Sequence, residues 1–348
     1  MRSRPATAPS TRSPGVLIFQ VNMKPQFPWN LRKPASLSTQ QQGSTGRCIV
    51  KGRYTVGKTL SHGSWGKIKE GTDMRRGKRV AIKFIDLERI GGDQAQREIE
   101  VHSRIKHPNI VEIFDTLFQP ETTKECCLIM EHLEGVDLLE VITNQPGERL
   151  NEQKAIQYFR QILEAVSYMH QNGVVHRDLK LENVMITKDD RCKLIDFGFA
   201  TTWNSSKSLA TPCGTLEYAA PEVTNGGTYH GPKADVWSIG VMMYCCLTGH
   251  IPWKGDNPSQ QYELIRRAYW TPSHHLSPLA SDFIDQCLQV DPDCRAGILD
   301  LCEHPLIVKS EKFELGAGQQ PTRVDRVNKR GSGKLKNFRE MWKNIIKA

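Results

Sequence analysis

Apolar positions change their period once along the chain. From Tyr54 they come in short alternating runs, and after Leu133 they recur at helical spacing. The runs 54–60, 66–71 and 79–86, separated by turn residues, predict three strands. Residues 95–105 predict a helix with Ile99 and His102 or Ile105 inward, and 109–118 and 126–131 predict two more strands. Over 152–171, Ile156, Phe159, Ile162, Leu163, Val166, Tyr168 and Met169 cover one broad helical face. Gly173 follows where a helix C-cap belongs. Further helices are expected over 235–247, 260–269 and 281–290. The pattern predicts an α+β, bilobal fold: a β-rich lobe over 54–131, a hinge over 131–135 and a larger, mainly helical lobe over 135–308. A cleft between such lobes is a natural ligand site.

Composition adds the flanks. The chain has 348 residues with a formal charge of +9, but the excess is uneven. No Asp or Glu precedes Glu70, and 309–348 is also basic. Residues 1–52 are rich in Pro, Ser, Thr and Gln, which predicts a disordered basic tail. Their Arg- and Ser-rich, acid-free character also fits an organelle transit peptide. Pro5, Pro9, Pro14, Pro25 and Pro28 work against the amphipathic helix that reading needs. In 334–347, Leu335, Phe338, Met341 or Trp342, and Ile345 fall on one helical face, while Lys336, Arg339, Lys343 and Lys347 lie elsewhere. Such a helix can dock on its own domain, bind calmodulin or meet an anionic membrane. No stripe of Lys and Arg interleaved with aromatics appears, so no nucleic-acid partner is expected. The ten cysteines include two adjacent pairs and no CxxC, which reads as reduced thiols in a cytoplasmic or nuclear protein. The longest apolar run, 236–247, is too short to span a bilayer and reads as a buried helix. A monomer is expected.

Four motifs carry chemistry. Leu60-Ser61-His62-Gly63-Ser64-Trp65-Gly66-Lys67-Ile68 places two glycines three apart between strands, where backbone N–H groups can approach phosphate. A plain hairpin turn explains it equally well. Val80-Ala81-Ile82-Lys83 ends an apolar strand on a lysine, which needs a counter-charge if buried. Glu98 on the following helix can supply it. His176-Arg177-Asp178-Leu179-Lys180-Leu181-Glu182-Asn183 and Asp196-Phe197-Gly198 are the most specific strings. Asp178 can accept a hydroxyl proton, Lys180 can reach a γ-phosphate, and Asn183 and Asp196 offer hard oxygen ligands to Mg²⁺ beside ATP.

Taken together over 54–308, these strings resemble the protein kinase superfamily. The resemblance implies an ATP site that also takes in Ala81, Glu131, Leu133 and Asp137, with Asp137 alternatively meeting a basic substrate residue. It implies that Glu222 of Ala220-Pro221-Glu222 pairs with Arg295, and that Asp235 holds the backbone at His176 and Arg177. Lys180 and Thr215 resemble the pattern of members that phosphorylate serine or threonine on protein substrates. The strings at 97–99, 107–111, 218–222 and 235–241 are similar to the calcium/calmodulin-dependent group, above all its AMP-activated kinase-like branch. Asp137-Leu138-Leu139-Glu140 and Gly198-Phe199 are shared with testis-specific serine kinases. Thr211 stands where an upstream activating kinase would add a phosphate facing Arg177. Glu182 is a second acid for substrate arginines, whereas Cys245 stands where strongly basophilic members place a further acid. Three positions depart from the pattern: Ser61 replaces a glycine, Trp65 replaces Phe or Tyr, and His102 falls where Leu or Met is usual. A catalytically dead scaffold would be expected to lack Lys83, Asp178 or Asp196, and all three are present. A small-molecule kinase would not need Lys180, Thr215 and Ala220-Pro221-Glu222, which serve peptide docking.

Overall fold

The computed structural model describes residues 48–50, 52–63, 66–117, 125–204, 208–253 and 255–308. Ser64, Trp65 and the proposed C-terminal helix over 334–347 lie outside them, as does the tail up to residue 47.

The smaller lobe is one antiparallel sheet with helices on one face. Its strands are β1 (Cys48–Val50), β2 (Tyr54–Gly63), β3 (Gly66–Asp73), β4 (Lys78–Asp86), β5 (Ile113–Leu117) and β6 (Glu125–Glu131), ordered β1-β2-β3-β4-β6-β5. Between β4 and β5 lie α1 (Leu87–Ile90) and α2 (Gly92–Arg104). The period-2 pattern of β4 sorts its side chains. Val80 and Ile82 join a separate apolar cluster with Tyr54, Leu117 and Ile129, while Ala81 and Ile85 join the main core with Ala95 and Val101 of α2. Lys83 therefore points to the core side.

The sheet has six strands where five were expected. The extra strand, β1, falls within the stretch read as a disordered tail: Cys48, Ile49 and Val50 pair with Val56, Thr55 and Tyr54. Three apolar residues beside a turn glycine suffice to extend an open sheet edge. The strand expected over 109–118 starts later, at Ile113, and ends at Leu117. Ile110 and Val111 leave the sheet because they bond to Leu194 of the other lobe, with Val111 N donating to Leu194 O at 3.0 Å.

The larger lobe begins with β7 (Gly135–Asp137), α3 (Leu138–Thr143) and α4 (Glu152–Gln171). Asn151 caps α4, its side chain accepting from Lys154 N at 2.8 Å, and Gly173 follows the far end at φ +66°. Then come β8 (Val174–Val175), β9 (Val184–Thr187), β10 (Cys192–Leu194) and β11 (Thr201–Thr202). They make two small antiparallel sheets, β10-β9-β7 and β11-β8, which hold the loops between them. The rest is helical: α5 (Pro221–Thr224), α6 (Gly231–Thr248), α7 (Pro258–Arg267), α8 (Pro278–Cys287), α9 (Ile298–Cys302) and α10 (Pro305–Val308). Helix α6 is buried on all sides from Ala234 to Thr248, which is why its sequence shows no polar face. Its Trp237 stacks on Trp253 at 5.2 Å.

Four helices differ from the periodicity at their ends: α2 starts three residues before Ala95, and α7 starts and stops two residues before the expected 260 and 269. Helix α6 starts four residues before Asp235, capped by His230 with Pro232 in its first turn. Helix α8 starts at Pro278 under a Ser277 cap and stops at Cys287, short of Val290. Arg295 draws the Gln289 carbonyl away with two hydrogen bonds of 2.9 and 3.0 Å, so 288–290 do not continue the helix. Among the described residues no helix is long and apolar enough to cross a membrane.

Candidate active site

Lys83 joins the lobes. Its Nζ donates to Glu98 Oε1 at 2.6 Å and to Asp196 Oδ1 at 2.9 Å. Lys83 and Glu98 are buried, at 8% and 3% exposure, whereas the Asp196 side chain is 40% exposed. Burial by itself would lower the Lys83 pKa, but the charges of Glu98 and then Asp196 reverse this and raise it above its ordinary value. Burial likewise opposes ionisation of Asp196, and Lys83 overrides it, holding the carboxyl below its ordinary value. Lys83 and Asp196 are therefore both charged at neutral pH.

The loop 176–183 hangs from α6. Asp235 is buried at 1%. Its Oδ2 accepts from His176 N and His170 Nε2, both at 2.9 Å, and its Oδ1 accepts from Arg177 N at 2.8 Å. Burial would raise the Asp235 pKa, and the His170 hydrogen bond leads the effects that lower it overall. So anchored, Arg177 adopts φ +67°, and Asp196 on the other side adopts φ +59°. Left-handed non-glycine residues of this kind persist where surrounding contacts over-determine them.

Around Asp178 the polar groups close a ring. Thr215 Oγ1 donates to Asp178 Oδ1 at 2.8 Å, Lys180 Nζ pairs with Asp178 Oδ2 at 2.9 Å, and the same Nζ donates to Thr215 Oγ1 at 2.9 Å. Asn183 Nδ2 donates to Asp178 O at 2.8 Å and Oδ2 at 3.1 Å. The Asn183 backbone carbonyl accepts from Ile195 N at 2.9 Å, so the residue before Asp196 is bonded to this loop.

The glycine loop is the β2–β3 hairpin itself, with Ser61 opposite Ile68, His62 opposite Lys67 and Gly63 opposite Gly66. Leu60 is half-exposed, and Ser61 and His62 are exposed. Gly66 is required by close approach: a Cβ there would come within 1.8 Å of the Phe84 carbonyl oxygen. Ile68 sits across from Lys83, and Ala81 across from Met130. Glu131 and Leu133 follow Met130 in the hinge. The Glu131 carboxylate meets Lys193 at 2.7 Å, which leaves the hinge backbone as its contribution to a ligand. Asp137 caps α3, accepting from Glu140 N at 2.7 Å. Met130 (across from Ala81) and Met185 (across from Asp137) are neighbours of these residues that motif reading did not single out. Only strand register brings them there, so the sequence carried no signal for them beyond an apolar position.

His102 is buried at 2%, and its Nε2 lies 2.7 Å from the Val111 carbonyl oxygen. Its ring packs on Phe197 at 4.2 Å, and Phe197 packs on His176 at 5.1 Å. The histidine that departs from the pattern thus packs on Phe197 as a neutral ring, one turn from Glu98. Burial pushes its pKa down to about 4. A depressed histidine contributes stability that is present above its unfolded value of about 6.5 and is lost as pH falls toward the folded value. His102→Leu is therefore expected to flatten the acid-side loss of folding stability between pH 6.5 and 4 by up to ~3 kcal/mol, read by urea unfolding at stepped pH. An unchanged slope would mean that folding leaves the pKa of this histidine unshifted.

Three further predicted sites lie outside this ring. Arg295 grips Glu222 through two bonds of 2.7 and 3.0 Å, tying α5 to the turn after α8. Thr211 is exposed. Glu182 Oε2 is buried without a hydrogen-bond partner among the described residues, and burial raises its pKa.

The protein kinase domain model matches residues 54–307. The chain belongs to the protein kinase family. A probable serine/threonine-protein kinase MARK-C of Dictyostelium discoideum is 38% identical over 74% of this chain and 34% of its own length. The SNF1-related protein kinase catalytic subunit alpha KIN12 of Arabidopsis thaliana is 37% identical over 72% of this chain and 51% of its own. The human NUAK family SNF1-like kinase 1 is 38% identical over 73% and 38%. These relatives agree with the AMP-activated kinase-like branch read from the strings. The chain spans a third to a half of the length of the curated relatives it matches.

Proposed function

We propose that the chain is a serine/threonine protein kinase that transfers the γ-phosphate of Mg-ATP to protein substrates. The observation that carries this is the closed ring of Asp178, Lys180 and Thr215, bonded to Asn183, whose carbonyl in turn holds the residue before Asp196 of the Lys83–Glu98–Asp196 bridge. Asp178 would take the proton of the attacking hydroxyl, Lys180 would steady the transferring phosphate, and Lys83 would hold the α- and β-phosphates. Asn183 Oδ1 and the exposed Asp196 carboxylate fit a Mg²⁺ whose remaining ligands are phosphate oxygens and waters; no group of three His, Cys, Asp or Glu forms a complete metal cage among the described residues. Bound Mg²⁺ would supply neutralisation of charge on the triphosphate. The glycine hairpin, with Gly66 pressed on Phe84, would cover the phosphates with backbone N–H groups, and the hinge at Glu131 and Leu133 would receive the base. Transfer of label from γ-labelled ATP to a serine or threonine peptide, but not to a tyrosine-only peptide, tests this reading. No transfer to either would sink it.

Regulation through Thr211 belongs to the same reading. Its side chain is exposed to an upstream kinase, and Arg177 lies in the same neighbourhood, held by Phe199 O at 2.7 Å. A phosphate of about −1.5 to −2 charge would add a partner for that cation. Thr211→Ala is expected to lower activity about tenfold or more in enzyme first treated with an activating kinase. Activity equal to the parent would remove Thr211 as the switch. The unpartnered Glu182 oxygen supports a modest preference for arginine or lysine upstream of the target. Calmodulin binding or self-docking by 334–347, a monomeric state and a cytoplasmic or nuclear location remain part of the proposal, and repeating the assay with calcium–calmodulin tests the first.

A further inference from the structure

We propose that Tyr229 is a positioning residue for phosphotransfer, and that its hydroxyl holds the segment from Leu209 to Thr215 against the catalytic loop. Tyr229 lies just before α6 and is 4% exposed. Its backbone forms a two-bond bridge with the segment: Leu209 N donates to Tyr229 O at 2.9 Å, and Tyr229 N donates to Leu209 O at 2.7 Å. Its hydroxyl donates to the Thr211 carbonyl oxygen at 3.1 Å. Tyr229 lines one small cavity together with Arg177, Cys213 and Thr215. Arg177 is the residue before Asp178, and its backbone N–H is the one that Asp235 anchors. One residue thus ties to the segment at Leu209 and Thr211 and faces the catalytic loop at Arg177.

The stretch it holds has little slack. Thr211 is fixed through its carbonyl, and Thr215 is fixed through the hydroxyl it shares with Asp178 and Lys180. Between them Gly214 sits at φ +94°, where a Cβ would lie 2.5 Å from the Arg177 carbonyl oxygen. Releasing Thr211 frees one end of a short tether whose other end is a ligand of Asp178. Burial, the leading cause, raises the Tyr229 pKa to about 12, so the donor keeps its proton at working pH. The acceptor at Thr211 is a main-chain oxygen, which Thr211→Ala retains. The inference therefore rests on the kinase reading but not on phosphorylation of Thr211.

Tyr229→Phe removes only the hydroxyl and keeps the ring and both backbone bonds. The expected result is about a tenfold fall in kcat for peptide phosphorylation, with KM for ATP within about twofold of the parent. The same fall is expected in a Thr211→Ala background. Protease cleavage between Trp203 and Thr215 should speed up about tenfold as local opening becomes easier, with the melting temperature changed by no more than ~2 °C. The proposal is overturned by kcat and cleavage rates within about twofold of the parent. It is also overturned by a kcat loss matched by equal losses of ATP affinity and melting temperature, or by an effect confined to enzyme with Thr211 intact. If the parent transfers no phosphate, the kinase reading fails on its own, and the cleavage rates, which need no catalysis, still decide whether Tyr229 clamps the segment.

Discussion

Asp178→Asn is expected to lower the rate of phosphate transfer about 10²- to 10⁴-fold, the usual contribution of a positioned general base. The substitution keeps the size of the side chain and removes its charge. Asp178 now accepts from Thr215 through Oδ1, and from Lys180 and Asn183 through Oδ2. An amide keeps one acceptor oxygen and turns the other position into a donor. That donor must face either the Lys180 ammonium or the Thr215 hydroxyl, so the ring opens on one side and Lys180 loses its counter-charge. Lys83, Glu98 and Asp196 form a separate ion cluster. ATP affinity should therefore stay within about threefold of the parent, giving a loss in kcat rather than in KM. Steady-state assays at varied ATP read both quantities. A kcat within tenfold of the parent would show that Asp178 is not the base.

The second large effect falls on stability. Arg295 is 1% exposed and makes five charge-assisted bonds: two to Glu222, two to Gln289 O and one to Lys233 O. Its guanidinium also lies 5.0 Å from the centre of the Trp237 ring. Arg295→Ala removes all of these at once. It leaves the Glu222 carboxylate, only 15% exposed, without its cation, and two carbonyls short of a donor. Breaking a buried pair from one side costs about 3–5 kcal/mol, a large part of the ~5–15 kcal/mol that holds a domain together. Arg295→Lys is expected to recover less than half of this, because an ammonium cannot grip both carboxylate oxygens in a planar fork. Denaturant unfolding measures both variants. A loss under ~1 kcal/mol for Arg295→Ala would mean that the pair is solvated in the folded state.

Strands and helices were legible where one face is buried and the other is wet. The face of α4 was readable residue by residue for that reason, and β4 displayed its two-sided alternation. Helix α6 was harder to bound, because burial on all sides removes the periodic signal, and its start was set by His230 and Pro232 instead. Strand β5 and helix α8 were misjudged at ends where the backbone bonds outside its own element, to Leu194 and to the Arg295 side chain. Strand β1 was missed because three residues carry no period of their own.

The chain's order of charged and glycine residues by itself determined the chemistry on offer. A lysine on an apolar strand, a carboxylate on the next helix, and two strings containing Asp178, Lys180, Asn183 and Asp196 specify their own partners. A buried charge must find an opposite one, and for Lys83 the pattern offered Glu98 on the next helix. What only the tertiary structure decided is how those groups are held. The bridge from Lys83 to both lobes, the ring through Thr215, the neutral fit of His102 against Phe197 and the clamp by Tyr229 depend on contacts between residues far apart in sequence. Hydrogen bonds and ring packing act over a few ångströms, so spacing along the chain cannot report them until folding has brought the ends together.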